Sequence, residues 1–219
     1  MTEAVDQERL DLVRRKLFSA VIADILDEHG YHHQCLPVTV RPLRESWKLV
    51  GRAMTVLGED IDTTDDPYGL MFDALDDLKP DEIYLATGGA QDYALWGELM
   101  ATAARARGAV GAIFNGAVRD SQSLLAMDFP VFCTTRSPQD QKGRGRVIAY
   151  RTTLQIEAVT VQDGDLIVAD IDGVVVVPYQ IEDRVIDDAL EKVDAENIVR
   201  DEIRKGLLTK DVYTKYGVL

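Results

Sequence analysis

Arg119 and Asp120 stand side by side in the stretch GAVGAIFNGAVRDSQSL, residues 108–124, directly after a run of small and apolar residues. Adjacent residues cannot pair across a helix face, and in a strand their side chains point to opposite faces. We therefore expect the pair where a strand ends, at the rim where α/β sheets bind ligands. There the guanidinium can neutralise a developing oxyanion, while the carboxylate either caps the next helix or binds a hard divalent ion with water and substrate. Residue type alone favours the helix cap.

A second acidic residue, Glu98, lies in the first turn of a predicted helix, where a carboxylate is favourable to the helix dipole. Glu98 and Arg119 both follow the carboxyl ends of predicted neighbouring strands, so their side chains can converge on one crevice. The segment 87–92, before the helix, matches neither GxGxxG nor the Walker pattern, which argues against a dinucleotide site. We interpret it as an ordinary turn, although the N–H groups that begin the helix would also suit a carboxylate or phosphate.

The histidines show no metal-binding pattern. His29, His32 and His33 cluster between predicted elements and lack the helical HExxH arrangement, so a solvated loop is favoured over a zinc site. The acidic run 59–66 lacks the EF-hand pattern and is also interpreted as a solvated loop.

Composition excludes several classes of function. The chain has 219 residues and a formal net charge of -14, which argues against nucleic-acid binding and against anionic membranes. A small anionic substrate would need a local cation or a metal, and Arg119 is one candidate for that local charge. Cys35 and Cys133 show no CxxC spacing and are expected to be reduced thiols. The first residues lack a signal-peptide pattern and no apolar run approaches the ~18 residues of a membrane span, so a cytoplasmic protein is expected.

The clearest structural unit surrounds the candidate residues. A strand at 82–88, a helix at 95–107 ended by Gly108 and a second strand in VGAIFNG form a βαβ unit, whose strands should be parallel with a right-handed crossover. A short helix, SQSLLAM, and a third strand, PVFCTT, follow.

The flanking regions predict one domain over residues 1–219, with a helix at 6–29 inside an N-terminal helical region, 1–30. A strand at 49–58 and a short helix in YGLMFDALDDL precede the βαβ unit. The C-terminal half alternates and turns at Asp163-Gly164 and Asp172-Gly173, which predicts antiparallel or mixed β structure. A long helix at 180–206 and a tail complete the C-terminal region, 180–219. The expected fold is α/β, with a layered β/β/α, swivelling-domain-like core between N- and C-terminal helices.

The run GGAQDYALWGELMATAARARGAVGAIFNGAVRD resembles the signature of the RraA-like family. This family includes the regulator of ribonuclease activity A and the class II 4-hydroxy-4-methyl-2-oxoglutarate / 4-carboxy-4-hydroxy-2-oxoadipate aldolases. The resemblance covers most of residues 17–206. Its aldolase branch has an acid, twenty residues, Arg-Asp, two residues and a second acid. Glu98 and Arg119-Asp120 match, whereas Ser123 replaces the second acid and Asn115 stands where many relatives carry Asp.

The resemblance also implies roles for individual residues. Asp120 would ligate Mg²⁺, or Mn²⁺ or Co²⁺, and Arg119 would stabilise the enolate formed from a 2-oxo acid. Glu98 would order water for proton transfer, and Glu196 would reach the site from a neighbouring subunit of a homotrimer or homohexamer. The substrate carboxylate would bind backbone N–H groups near Gly97, Glu98, Leu99 and Met100.

The implied function is a divalent-metal-dependent lyase that cleaves a C–C bond of a 2-oxo acid through a pyruvate enolate, as an aldolase, an oxaloacetate decarboxylase or both. Two alternatives remain open from the sequence. One is a non-catalytic regulator that binds a ribonuclease. The other, which Ser123 leaves open, is a related enzyme acting on a different hydroxy acid or sugar acid.

Overall fold

A mixed eight-stranded sheet forms the centre of the computed structural model, which describes residues 3–217. Its strand order is β1-β5-β4-β3-β2-β9-β10, and β6 also pairs with β2, while β7 and β8 form a separate two-stranded sheet. The ten strands of this part of the chain, β1 to β10, are Arg41–Pro42, Leu49–Asp60, Glu82–Thr87, Gly111–Val118, Val131–Arg136, Gly145–Tyr150, Leu154–Ile156, Val159–Val161, Leu166–Asp170 and Gly173–Val177. The helices, α1 to α7, are Glu3–Lys16, Ser19–Glu28, Met71–Asp76, Glu98–Ala106, Ser121–Met127, Glu182–Arg204 and Thr209–Tyr216.

The parallel part of the sheet holds the predicted βαβ unit. Strands β2, β3, β4 and β5 pair in parallel, with Ile83 opposite Gly111 in the β3–β4 register. All six residues of β3 are buried, as expected for a parallel strand covered on both faces. The parallel pairing predicted for β3 and β4 is confirmed, so the carboxyl ends of both strands meet at one rim.

Helix α4 begins three residues later than predicted, and this difference shapes the rim. Residues 94–97 lie outside the helix, and their backbone pairs with the end of β4: the N–H of Leu95 donates to the carbonyl of Ala117 at 2.9 Å. In the other direction, the N–H of Arg119 donates to the carbonyl of Trp96, also at 2.9 Å. This short segment therefore ties the start of α4 to the residues that follow β4.

The C-terminal half is antiparallel, as predicted, but it shares the main sheet. Strands β6 and β9 pair antiparallel with β2, and β10 pairs antiparallel with β9. The turn at Asp172-Gly173 closes the β9–β10 hairpin. The turn at Asp163-Gly164 instead connects β8 with β9, which belong to different sheets, so the hairpin predicted there is wrong. The edge strand β1 approaches β10, where Leu36 N–H donates to the carbonyl of Val174 at 2.9 Å, and the sheet nearly closes.

Buried side chains alternate between the two faces of this sheet, because successive residues of a strand point in opposite directions. One face, which includes Ile83, Leu85, Ile113 and Phe132, packs against the β7–β8 hairpin, which contributes Leu154 and Val161. The opposite face is covered in two parts. Helices α3, α4 and α5 cover Tyr84 and Phe114, while α1, α2 and α6 cover β9 and β10. The α/β class, the mixed sheet and the flanking helices agree with the prediction.

The predicted N-terminal helix is divided in two between Lys16 and Ser19. Phe18 is extended, with φ −138° and ψ 162°. The carboxylate of Asp170, at the end of β9, accepts the backbone N–H of Ser19 at 2.8 Å and its hydroxyl at 2.6 Å. A capping group from a distant strand therefore begins a second helix where periodicity alone predicts a continuous one. Within residues 3–217, no helix is long and apolar enough to cross a membrane.

A buried ion pair joins the N-terminal helices, the sheet and α6. Arg52, on β2, donates to both carboxylate oxygens of Glu182, one at 2.9 Å, and also pairs with Asp6. Glu182 is only 2% exposed. Burial opposes the charge on Arg52, but the hydrogen bonds to Glu182 and Asp6 outweigh it and raise the pKa of the guanidinium.

Replacing Glu182 should therefore destabilise the whole fold. Because Glu182→Gln removes the buried negative charge that Arg52 contacts and leaves Asp6 as its remaining carboxylate partner, we expect the free energy of unfolding to fall by about 2 kcal/mol. Urea denaturation followed by circular dichroism measures this change. Glu191→Gln, an exposed position on the same helix, is the matched control. Equal stability of the two variants would contradict a structural role for the pair.

Candidate active site

A cavity of about 310 Å³ opens at the carboxyl end of β4, between α3 and α4. Arg119 and Asp120 line it, together with Gly97 at the start of α4. We call this cavity the crevice. The prediction that the Arg-Asp pair lies at a strand end beside a ligand-sized space agrees with this geometry. Further lining residues are Tyr68, Met71, Phe72, Leu75, Met100 and Asp140.

Asp120 has a left-handed backbone, with φ 54° and ψ 34°, which turns its side chain away from the helix that follows. It stands at the first position before α5, but its carboxylate forms no cap there. Instead, its Oδ2 accepts the N–H of Glu98 at 3.1 Å and so caps α4. The predicted cap on SQSLLAM is therefore wrong, because the backbone conformation directs the carboxylate across the rim. The side chain remains 46% exposed at the crevice.

Arg119 is held by its backbone but only loosely by its side chain. Its Nε lies 3.9 Å from Asp120 Oδ2, and its Nη1 lies 3.5 Å from Asp140 Oδ1. Both separations exceed a normal charge-assisted hydrogen bond, so these carboxylates orient the guanidinium without occupying its donors. The side chain is 38% exposed and can accept an anionic ligand.

Asp140 is a crevice residue that the sequence reasoning missed. It lies between β5 and β6, and its backbone bridges that of Ala94. Its Oδ2 accepts the hydroxyl of Tyr68 at 3.3 Å. Burial, and then the neighbouring Asp140, raises the pKa of Tyr68, which keeps this hydroxyl a donor. No local pattern marks Asp140, although the segment SPQDQKGRGRV that contains it belongs to the noted resemblance.

The first turn of α4 supplies backbone donors. In any α-helix, the N–H groups of the capping residue and the first three helical residues lack acceptors within the helix. Here these residues are Gly97, Glu98, Leu99 and Met100, the four predicted to bind a substrate carboxylate. The N–H of Glu98 is already donated to Asp120. Those of Leu99 and Met100 are the geometrically suited donors for an anion.

The side chain of Glu98 points along α4. Its Oε1 accepts the hydroxyl of Thr102, one helical turn on, at 2.9 Å. Among the described residues, the crevice is lined by the neighbours Gly97 and Leu99 but not by Glu98. The backbone of Glu98 thus contacts the Arg-Asp pair through its N–H. A catalytic role for the Glu98 carboxylate stays a prediction.

The remaining predicted positions lie away from the crevice in this chain. Glu196 is on α6, which packs against α2 and α7, and its carboxylate lies 4.0 Å from Arg200. Ser123 is exposed on α5. Asn115 donates from Nδ2 to the hydroxyl of Thr87 at 3.1 Å. A contribution of Glu196 to a neighbouring subunit stays a prediction.

The other sequence candidates have structural roles. His29 lies 2.7 Å from Asp188, and His32 lies 3.1 Å from Asp27. Both cysteines are free, as expected. Burial raises the pKa of the Cys133 thiol to about 11, which makes it a poor nucleophile at neutral pH.

The donors fit a hydrated hard cation better than a cage of protein ligands. Across residues 3–217, no three His, Cys, Asp or Glu side chains gather into a metal-binding cluster. Asp120 nevertheless presents a half-exposed carboxylate, supported by a backbone N–H, to a cavity with room for water and substrate. Mg²⁺ usually binds through one or two carboxylates and keeps several water ligands. Asp120 therefore suits Mg²⁺ or a similar ion.

Gly97 leaves the space in which the Asp120 carboxylate lies. A Cβ at this position would stand 2.5 Å from Asp120 Oδ2 and 3.3 Å from Arg119 Cγ. The φ of Gly97 is −155°, an extended value that alanine can adopt, so an added Cβ would displace the Asp120 carboxylate rather than strain the backbone. We expect Gly97→Ala to weaken divalent-ion binding about tenfold, as loss of a supporting group does. Mn²⁺ titration measures the affinity, with circular dichroism as the control for folding, and an unchanged affinity would contradict this prediction.

Comparisons of the sequence and the structure with known proteins all lead to one family. The sequence model of the RraA-like family, described as Aldolase/RraA, matches residues 19–176. A Halalkalibacterium halodurans protein named "Putative 4-hydroxy-4-methyl-2-oxoglutarate aldolase" is 30% identical over 193 residues, which cover 86% of each chain.

Two further proteins extend the comparison. Protein DlpA from Legionella pneumophila is 31% identical over 161 residues, 73% of this chain, but the match spans only 26% of DlpA. The structure of RraAS2 from Streptomyces coelicolor, titled an unusual member of the RNase ES inhibitor RraA protein family, has a TM-score of 0.81. The two chains are 23% identical, and the match covers 89% of this chain and 98% of RraAS2, so this comparison shows a shared fold.

Proposed function

Because the chain belongs to the RraA-like family, we propose that it is a divalent-metal-dependent lyase that cleaves a C–C bond of a 2-oxo acid through a pyruvate enolate. Its reactions would be cleavage of 4-hydroxy-4-methyl-2-oxoglutarate-type aldols, decarboxylation of oxaloacetate, or both. The proposal includes action as a homotrimer or homohexamer.

The observation that carries this proposal is the meeting of three groups in the crevice. A guanidinium that donates no side-chain hydrogen bond to the described residues, Arg119, lies beside a half-exposed carboxylate, Asp120, and both adjoin the first turn of α4. A 2-oxo acid carries a carboxylate next to a keto oxygen. The start of α4 suits the substrate carboxylate, and Arg119 suits the negative charge that develops on the keto oxygen.

The chain binds and orients the substrate with its own groups. The N–H groups of Leu99 and Met100 would hold the substrate carboxylate, in line with the dipole of α4. The keto oxygen then faces Arg119, whose planar fork can donate two hydrogen bonds. Asp120 would hold Mg²⁺, Mn²⁺ or Co²⁺, and such an ion, when bound, supplies Lewis-acid stabilisation of the developing enolate charge.

Cleavage of a 4-hydroxy-2-oxo acid begins when the C4 hydroxyl loses its proton. A water molecule ordered by Glu98 would accept this proton. The C3–C4 bond then breaks, C4 becomes a carbonyl carbon, and the bonding electron pair forms the enolate, whose oxygen Arg119 stabilises. A proton from water adds to C3 and completes pyruvate. Glu196 of a neighbouring copy would assist this proton transfer.

Pyruvate release, coupled to lactate dehydrogenase, tests the proposal. Oxaloacetate and 4-hydroxy-4-methyl-2-oxoglutarate are supplied in turn with Mg²⁺, Mn²⁺ or Co²⁺, with a chelator as the control and spontaneous decay subtracted. Release that depends on the added ion supports the lyase. Mn²⁺ binding without release from either acid would overturn the pyruvate chemistry and favour another hydroxy acid or sugar acid. Absence of both binding and release would favour a protein-binding regulator.

A further inference from the structure

The crevice is lined mainly by apolar side chains and holds one cationic residue, Arg119, among the described residues that line it, and from this we propose that the preferred substrate is a monoanionic 4-hydroxy-2-oxo acid with an apolar group on C4. The inference rests on the proposed lyase function and names the substrate class of that site. The products would be pyruvate and an apolar aldehyde.

Most of the apolar lining comes from two helices. Six side chains from α3 and α4, here called the apolar wall, line the crevice together with the Arg-Asp pair. They are Met71, Phe72, Leu75, Leu99, Met100 and Ala103. Two of them are strongly exposed, Phe72 at 58% and Leu99 at 79%. A substrate group placed against them would remove this apolar surface from water, which is favourable in proportion to the area covered.

Charge argues against a second carboxylate at the same place. Arg119 is the one cationic residue among the described residues that line the crevice, and the proposed keto-oxygen contact already uses it. The other charged lining residues, Asp120 and Asp140, are acidic. A dicarboxylate would therefore place its second negative charge against an apolar wall without a counter-ion, which costs desolvation.

Shape supports an aromatic or branched group. Tyr68 and Phe72 form an edge-to-face pair, with ring centroids 5.5 Å apart and planes at 65°. Both rings line the crevice, so the pair makes a corner of aromatic surface within it. A cavity of about 310 Å³ lies within the range that encloses small ligands, so a 2-oxo acid and a ring-sized group can share it.

The reaction is the retro-aldol cleavage described above, with one change in the leaving fragment. The C4 hydroxyl proton passes to water, the C3–C4 bond breaks, and C4 leaves as an aldehyde that carries the apolar group. The electron pair of that bond forms the enolate, and water protonates C3. No oxidant or reductant is needed.

A substrate comparison tests the inference. The kcat/KM for pyruvate release is measured for 4-hydroxy-2-oxo-4-phenylbutanoate and for 4-hydroxy-4-methyl-2-oxoglutarate, with two pyruvates counted for the second acid. We expect the phenyl substrate to be preferred by at least about tenfold, the scale of discrimination by an apolar pocket. Equal values, or a preference for the dicarboxylate, would overturn the inference and leave the lyase intact. Release from neither acid would also overturn the inference, and pyruvate release from oxaloacetate, measured in parallel, would then decide whether the lyase proposal stands as a decarboxylase.

The second test adds a positive charge to the apolar wall in order to reverse the substrate preference. Leu99→Arg adds a cation to the apolar wall at a position exposed enough to tolerate it, and should shift the ratio towards the dicarboxylate by about tenfold. Val38→Arg, at a site 78% exposed and outside the crevice, is the matched control and should leave the ratio unchanged. An unchanged ratio in Leu99→Arg, or an equal shift in both variants, would overturn the assignment of the wall to the substrate.

Discussion

Replacing Asp120 by asparagine should reduce metal-dependent pyruvate release at least about 100-fold, because a bound divalent ion supplies several kcal/mol of charge stabilisation in such reactions. Asp120 lines the crevice, and its carboxylate is supported by a backbone N–H, from Glu98 at 3.1 Å. Asparagine removes its charge and with it the main attraction for a hard cation.

Asparagine is chosen because it preserves the surrounding structure. It tolerates the left-handed backbone found at Asp120, with φ 54°. Its amide oxygen can still accept the N–H of Glu98, so α4 keeps its cap. Loss of Mn²⁺ binding, measured by titration, together with an unchanged circular dichroism spectrum would assign the defect to the lost charge.

Asp128→Asn is the matched control. Asp128 also has a left-handed backbone, with φ 52°. Its carboxylate is engaged elsewhere, by Arg44 at 2.6 Å and by the indole of Trp47 at 2.7 Å, outside the crevice. This variant should retain activity and Mn²⁺ binding. An Asp120→Asn protein with wild-type release and wild-type Mn²⁺ affinity would contradict the proposed metal site.

The Arg-Asp pair was predictable at the end of a strand because the information is local. A run of small, apolar residues predicts a buried strand, and two adjacent charged residues cannot continue it without burying charge. The parallel pairing of β3 and β4 follows from the helix between them. Local pattern therefore predicts the rim of the sheet on which Arg119 and Asp120 lie.

The parts that sequence did not predict depend on contacts between distant segments. Helix α4 starts at Glu98 because residues 94–97 pair with the end of β4, a preference invisible in their own sequence. Asp140 reaches Arg119 only because the segment after β5 returns to bridge Ala94. The break before Ser19 similarly depends on Asp170, 151 residues away.

The direction of the Asp120 side chain shows how a single dihedral angle decides a role. An aspartate before a helix usually accepts N–H groups of that helix, and residue type therefore favoured a cap on α5. The left-handed backbone instead directs the carboxylate to the start of α4, over Gly97. The same turn that removes the local cap brings a carboxylate, a guanidinium and a helix start together.

Arg119 carries the second large expected effect. Arg119→Met should lower kcat about 10²- to 10³-fold, because it removes a donor aimed at charge that develops only in the transition state. The kcat/KM should fall further than kcat, since Arg119 also contacts the keto oxygen of the bound substrate and its loss weakens binding as well. Arg119→Lys keeps the charge but loses the planar fork, so its activity should lie between that of Arg119→Met and the wild type.

Metal binding separates this role from that of Asp120. Arg119 Nε lies 3.9 Å from Asp120 Oδ2, so removing the guanidinium takes a positive charge away from the proposed ligand. Mn²⁺ affinity in Arg119→Met should therefore be retained or increased while turnover is lost. Arg136→Met, at an exposed position opposite Val118 in the β4–β5 register, is the control and should keep full activity. Wild-type kcat in Arg119→Met would exclude enolate stabilisation by Arg119, whereas loss of both Mn²⁺ binding and turnover would show that its main role is to position Asp120.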